Sequence, residues 1–187
     1  MVESIRADAR RNRDRLLAEA AAAFAAGHAA GDGPVSLEAI ARASGVGIGT
    51  LYRHFPNREA LVEAVYRAEL AEVSASAGEL LAQHPPAAAL RQWMNRYAEF
   101  VAAKQGMAES LRAVFDSGAV ELGQTRASIV GAVDTLLRAG AADGSLRTDV
   151  RADDVVSSLL GIFLASSSTD QSHRMLDLLV DAVVATR

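Results

Sequence analysis

The stretch Gly45-Val46-Gly47-Ile48-Gly49-Thr50-Leu51-Tyr52-Arg53-His54-Phe55 offers two kinds of phosphate chemistry. Glycines at alternate positions suit a loop that cradles a nucleotide, because backbone without Cβ atoms approaches phosphate closely. Thr50, Tyr52, Arg53 and His54 suit a grip on a nucleic-acid backbone. A dinucleotide fingerprint needs G-x-G-x-x-G directly after a strand. Here Thr50 stands in place of the third glycine, and a helical pattern precedes the run. A P-loop needs Lys before the Ser/Thr, and Gly49 occupies that position. The nucleotide reading fails on residues and on context.

Other reactive constellations are weak. Ser166, Asp170 and His173 contain the ingredients of a hydrolytic triad, but they crowd into one polar turn between helices. They lack a nucleophile elbow, and helix capping accounts for them. His28, His54, His84 and His173 are scattered and no cysteine is present, so no zinc site is expected. No catalytic residue, metal ligand or cofactor is assigned.

The 187 residues are half hydrophobic, enough for a core without disulfides. The N-terminal "MVESIRADARRNRDRLL" is charged where a signal peptide is apolar, and no run is long enough to span a membrane. A cytoplasmic location is expected. The net charge of −4 is unevenly spread. Residues 1–67 carry nine Arg against eight acids, and the remaining 120 carry ten basic residues against fifteen acids. That asymmetry hints at a nucleic-acid module joined to something else.

The elements that must position these residues are helices. Sustained alternation and hairpin signals are missing, whereas apolar residues recur at threes and fours nearly throughout. Leu16, Ala20 and Phe24 mark a first helix, expected to end at Gly27 and a loop "GHAAGDGP". Ser36 sits as an N-cap before "LEAIARAS", with Glu38 in the first turn. A short helix carries "IGTLYRHF" and stops before Pro56. Asn57 caps a long helix reaching about His84, and "HPPAAA" breaks it. Helices are then expected around 87–104, 107–117, 120–140, 151–167 and 171–186. The chain reads as all-α with about nine helices: a three-helix module over 1–56 and a helical bundle over 57–187, joined by the connecting helix 57–84.

The glycines fit a helix-turn-helix. Ala41 is small where a second helix would cross, Gly45 tolerates the positive φ of a tight turn, and Val46, Leu51 and Phe55 anchor the second helix inward. Gly49 is the anomaly, since glycine inside a helix costs about 1 kcal/mol relative to alanine. Either Gly47 and Gly49 let the backbone approach DNA, or they fit a crowded crossing. Arg10, Arg11, Arg13 and Arg15 precede or open the first helix, as a DNA-following arm or as a solvated helix start.

Residues 35–65, "VSLEAIARASGVGIGTLYRHFPNREALVEAV", resemble the DNA-binding signature of the tetracycline-repressor (TetR) family of transcriptional regulators. The specific part is Thr50 to Phe55 followed by Asn57 to Leu61. The resemblance implies a homodimeric regulator, expected to be a repressor. It implies phosphate contacts from Thr50, Tyr52 and His54, and from Arg58, where the family often has lysine. It puts Gly47, Ile48 and Gly49 nearest the bases. Those three offer no hydrogen-bonding side chain, which leaves Ile48 against thymine methyls, Arg42 or Ser36, or DNA shape to read sequence.

Trp93, Tyr97 and Phe100 share a helix face that Met94, Met107, Leu111 and Phe115 could join. The stripe reads as core or, by resemblance, as the lining of a pocket for a small apolar or aromatic effector. Val156, Leu159, Leu160 and Phe163, with Leu176, Leu179, Val180 and Val183, read either as a four-helix dimer interface or as the closure of the chain's own core. The expected partners are an operator duplex, the effector and a second copy, with no membrane. The alternatives are a helical DNA-binding or protein-interaction module without a ligand and, remotely, a small all-α hydrolase.

Overall fold

A computed structural model describes residues 2–30, 35–105 and 107–185 of the protein. Among them run nine helices: α1 (Val2–Ala30), α2 (Leu37–Ala43), α3 (Ile48–His54), α4 (Arg58–Gln83), α5 (Pro86–Gln105), α6 (Ala108–Asp116), α7 (Leu122–Asp143), α8 (Ala152–Ala165) and α9 (Thr169–Val183). The all-α reading holds. Several ends differ from expectation by two or three residues, α7 among them, which runs past 140 to Asp143. Helix α1 runs through Gly27 to Ala30, because one glycine weakens a helix without ending it where the neighbours favour helix. Residues 31–34 of the expected loop lie outside the described residues. Helix α9 stops at Val183, since Val184 pairs with Leu146 in an antiparallel bridge; residue 186, the expected end, lies outside the described residues.

The chain divides into two compact units, Met1–Glu69 with Ala102–Glu121, and Leu70–Val101 with Leu122–Arg187. In the first, the stripe Leu16, Ala20 and Phe24 of α1 is fully buried, together with Ile40, Leu51, Phe55, Leu61, Val62, Val65 and Tyr66. Local signals set the helix starts. Ser36 Oγ accepts from the Ala39 N–H at 3.3 Å, and Asn57 Oδ1 accepts from the Ala60 N–H at 2.8 Å. The Ser36 hydroxyl donates to Glu38, which holds that carboxyl below its ordinary range. Helix α6 belongs to this unit. Phe115 meets the Tyr66 ring edge-on at 5.5 Å, and Arg67 donates to the Ala119 carbonyl at 2.5 Å.

The second unit is built on aromatic stacking. Trp93 and Tyr97 are nearly parallel at 5.4 Å, and Tyr97 also packs on Phe100 and Phe163. The Trp93 indole N–H donates to the Val73 carbonyl at 2.9 Å, so the ring is buried with its polar atom satisfied. Helices α7, α8 and α9 close the unit through Val133, Leu136, Val156, Leu159 and Leu176. Gly140 of α7 admits Leu146. A Cβ there would lie 2.3 Å from Leu146 Cγ and 2.7 Å from Leu146 Cβ, closer than carbon atoms pack. The bridge follows, with Arg147 N–H donating to Val183 at 2.9 Å and Ala185 N–H to Ser145 at 3.1 Å.

Two measurements check this packing. Gly140→Ala should cost about 1–3 kcal/mol of stability in denaturant unfolding, the usual penalty for overfilling a packed site. Unchanged stability would mean that Leu146 does not press on α7. The Lys104 ammonium lies 5.0 Å from the Tyr66 ring centroid. Burial lowers its pKa from 10.5 to about 8, against the opposing pull of Glu69. The unfolded chain therefore binds more protons between about pH 8 and 10.5, and this group makes stability rise with pH across that window. Lys104→Met should remove that rise.

Candidate nucleic-acid interface

Helix α2 ends in a tight sequence of backbone bonds. The Ser44 N–H donates to Ile40 at 3.0 Å, Gly45 to Arg42 at 3.1 Å and Val46 to Ala41 at 2.9 Å. Gly45 adopts φ +65°, the left-handed conformation that favours glycine, and Ala41 is buried at the crossing. Gly47 is extended and receives the first bonds of α3 from Thr50 and Leu51. Leu51 and Phe55 anchor α3 inward, both buried. Gly45, Leu51 and Phe55 behave as the sequence indicates, whereas Val46, the third expected anchor, is half-buried and precedes α3.

The outward side of α3 follows from its period. Gly49 and Arg53, four residues apart, lie roughly opposite the buried pair Leu51 and Phe55, and both are exposed. Ile48 and Tyr52 flank them at 38% and 45% exposure; Thr50 and His54 are half-buried. Thr50, Tyr52, Arg53 and the exposed Arg42 of α2 make no side-chain hydrogen bond or ion pair among the described residues. Arg53, part of the polar set suited to a nucleic-acid backbone but not among the contacts the resemblance implies, is marked by its four-residue spacing from Gly49. A Cβ added at Gly47 or Gly49 would meet nothing within 4 Å among the described residues. The crowded-crossing explanation of these two glycines is therefore wrong.

Other expected contacts sit differently. The Ser36 hydroxyl is committed to capping α2. Arg58 is turned inward. Its Nε donates to Ser110 Oγ at 3.1 Å, its Nη1 donates to the Val35 carbonyl at 2.6 Å, and its guanidinium lies 5.4 Å from the Phe24 ring centroid. Those bonds tie α4 to α1, α6 and the entry to α2. The arginines of the proposed arm lie within α1 and not ahead of it. Arg10 is exposed, Arg11 pairs with Asp8, Arg15 donates to Asn12 at 2.5 Å, and Arg13 lies 5.6 Å from the Phe55 ring centroid. Arg13 and His54 line one cleft with Leu17 and Ala64.

Of the residues assigned to a pocket, Trp93, Met94, Tyr97 and Phe100 are buried in the second unit. Met107 and Leu111 are buried, and Phe115 half-buried, in the first. Of those assigned to a dimer interface, Val156, Leu159, Leu176 and Val183 are buried within the single chain. Phe163, Leu179 and Val180 are half-buried and Leu160 is exposed. Leu164, at 87% exposure, and Leu178, at 68%, add to the accessible apolar surface of α8 and α9. In the turn before α9, Ser168 Oγ accepts from the Gln171 N–H and Ser166 donates to Met175 Sδ, so serines there cap and pack.

Residues 16–65 match the profile of the bacterial regulatory proteins of the tetR family. Residues 85–184 match that of the SbtR-like transcriptional regulator C-terminal domain. The TetR transcriptional regulator SCO0520 of Streptomyces coelicolor is 45% identical, with a TM-score of 0.81 over 94% of this chain and 99% of that one. A TetR transcription regulatory protein of Mycobacterium vanbaalenii is 32% identical, with a TM-score of 0.75 over 97% and 99%. The TetR family regulator PfmR of Thermus thermophilus, 21% identical with a TM-score of 0.56 over 89% and 97%, shares the fold. No curated protein matches. With matching profiles at both ends and like structures along nearly its whole length, the chain belongs to the TetR family of transcriptional regulators, with a helix-turn-helix at α2 and α3.

Proposed function

We propose that the protein is a homodimeric, cytoplasmic repressor that leaves a palindromic operator when a small apolar or aromatic effector binds. One observation carries the DNA half of this reading. Helix α3 is fixed from behind by Leu51 and Phe55, while Thr50, Tyr52, Arg53 and the neighbouring Arg42 remain uncommitted on or near its open side. Donors that are positioned but unpaired suit phosphate oxygens, which fix register on a duplex. Two copies of α3 would enter successive major grooves about 34–36 Å apart. Leu160, Leu164 and Leu178 supply apolar area for pairing α8 and α9 with a second copy.

The aromatic ladder Trp93–Tyr97–Phe100 supports an apolar or aromatic effector. Its rings are buried, so an effector would have to favour a conformer that parts them, and its differential affinity for that conformer would drive release. The satisfied Trp93 N–H favours the reading without a ligand. Quenching of Trp93 emission by an effector would separate the two.

The test is binding of the purified protein to duplexes enriched from random sequence at about 150 mM salt, where nonspecific electrostatic binding is weakened. An inverted repeat is expected. Thr50→Ala and Tyr52→Ala should each weaken binding to it about tenfold or more, the worth of a hydrogen bond to a charged group, with the dimer intact by light scattering. Unchanged affinity in both variants would refute the contact set.

A further inference from the structure

We infer that α3 reads its half-site by apolar contact, with Ile48 set against thymine methyl groups and Gly47 and Gly49 leaving the backbone on either side bare. The inference rests on the regulator reading above and names the base chemistry it would recognise.

Glycine weakens a helix relative to alanine, so Gly49 inside a helix of seven residues needs a reason. Packing is not the reason. A Cβ at Gly47 or Gly49 would meet nothing within 4 Å among the described residues, whereas one at Gly140, a glycine that packing does require, would meet Leu146 at 2.3 Å. Backbone conformation is not the reason either, because Gly47 has φ −65° and only Gly45, Gly118 and Gly144 carry positive φ among the described residues. What remains is clearance on the solvent side. A helix stripped of side chains at 47 and 49 can lie deeper against a surface, and its only side chain there is the exposed Ile48.

The surface is duplex DNA by charge complementarity. Arg42 and Arg53 are exposed and unpaired among the described residues, ready for phosphates on either wall of a groove. Within that groove, positions 47 to 49 offer no guanidinium, amide or carboxylate to pair with base-edge donors and acceptors. The thymine C5 methyl is the apolar mark that the major groove presents. An isoleucine between two bare positions is matched to that mark and to none of the polar ones.

The experiment uses full-length protein and the duplex it enriches, titrated at fixed salt by fluorescence anisotropy. Thymines of each half-site are replaced one at a time by deoxyuridine, which removes the methyl and keeps the pairing. At one or two positions per half-site the wild-type affinity should fall about fourfold per methyl lost, the worth of one buried carbon. Ile48→Ala should bind more weakly and lose that sensitivity. Gly49→Ala should keep or raise the thermal midpoint yet bind the duplex more weakly. An enriched duplex bound equally well with uracil throughout overturns the inference and leaves the regulator standing. So does a methyl dependence that survives in Ile48→Ala. Failure of the folded dimer to enrich any sequence overturns the inference together with the regulator reading on which it rests.

Discussion

The left-handed turn at Gly45 is the constraint on which the first unit depends. Helices α2 and α3 have seven residues each, too few to hold together in water on their own. Their geometry is imposed by what they pack on. Gly45 reverses the chain at no steric cost, Ala41 leaves room at the crossing, and Leu51 and Phe55 fasten α3 to the core. An L side chain at 45 would carry about 1–2 kcal/mol of backbone strain and would press on the crossing angle. That angle decides which residues of α3 point outward, so the turn is the origin of the exposed set Ile48, Gly49, Tyr52 and Arg53.

Arg58 extends the same constraint along the chain. With its bonds to Val35 and Ser110 and its place over Phe24, one guanidinium joins the approach to α2, the start of α4, the body of α1 and the first turn of α6. Arg67 repeats the device nine residues later at the far end of α6. Helix α6 is thereby part of the unit that carries α3. Arg58 could not be replaced by lysine without loss, because an ammonium lacks the planar fork that reaches two acceptors while stacking on a ring.

The legible features were those governed by short-range chemistry. Ser36 and Asn57 announce helix starts because a side-chain oxygen is needed there, and Gly45 announces the turn because few other residues fit it. The helix count and most ends followed from apolar spacing. Features that depend on distant partners were not legible. Nothing near Arg58 in sequence signals Ser110 or Phe24, so its internal bonds could not be read from its neighbours. The bridge between Leu146 and Val184 spans too few residues to leave an alternating pattern. Gly47 and Gly49 looked ambiguous because sequence cannot say whether the space beside a glycine is filled. Val156, Leu159, Leu176 and Val183 share an apolar signature with their exposed neighbour Leu160, and only the packing of α7 to α9 separates inner from outer residues.

The central claim is that α3, held from behind and open in front, is the surface that meets DNA. Amide hydrogen exchange of the full chain, with and without the enriched duplex, tests it most directly. A short helix resting on tertiary packing exchanges faster than the core helices, so a bound duplex has room to slow it. The account predicts that the slowing is greatest across residues 45–55 and reaches Arg42. Slowing confined to other segments, with 45–55 unchanged in the DNA-bound protein, would contradict it.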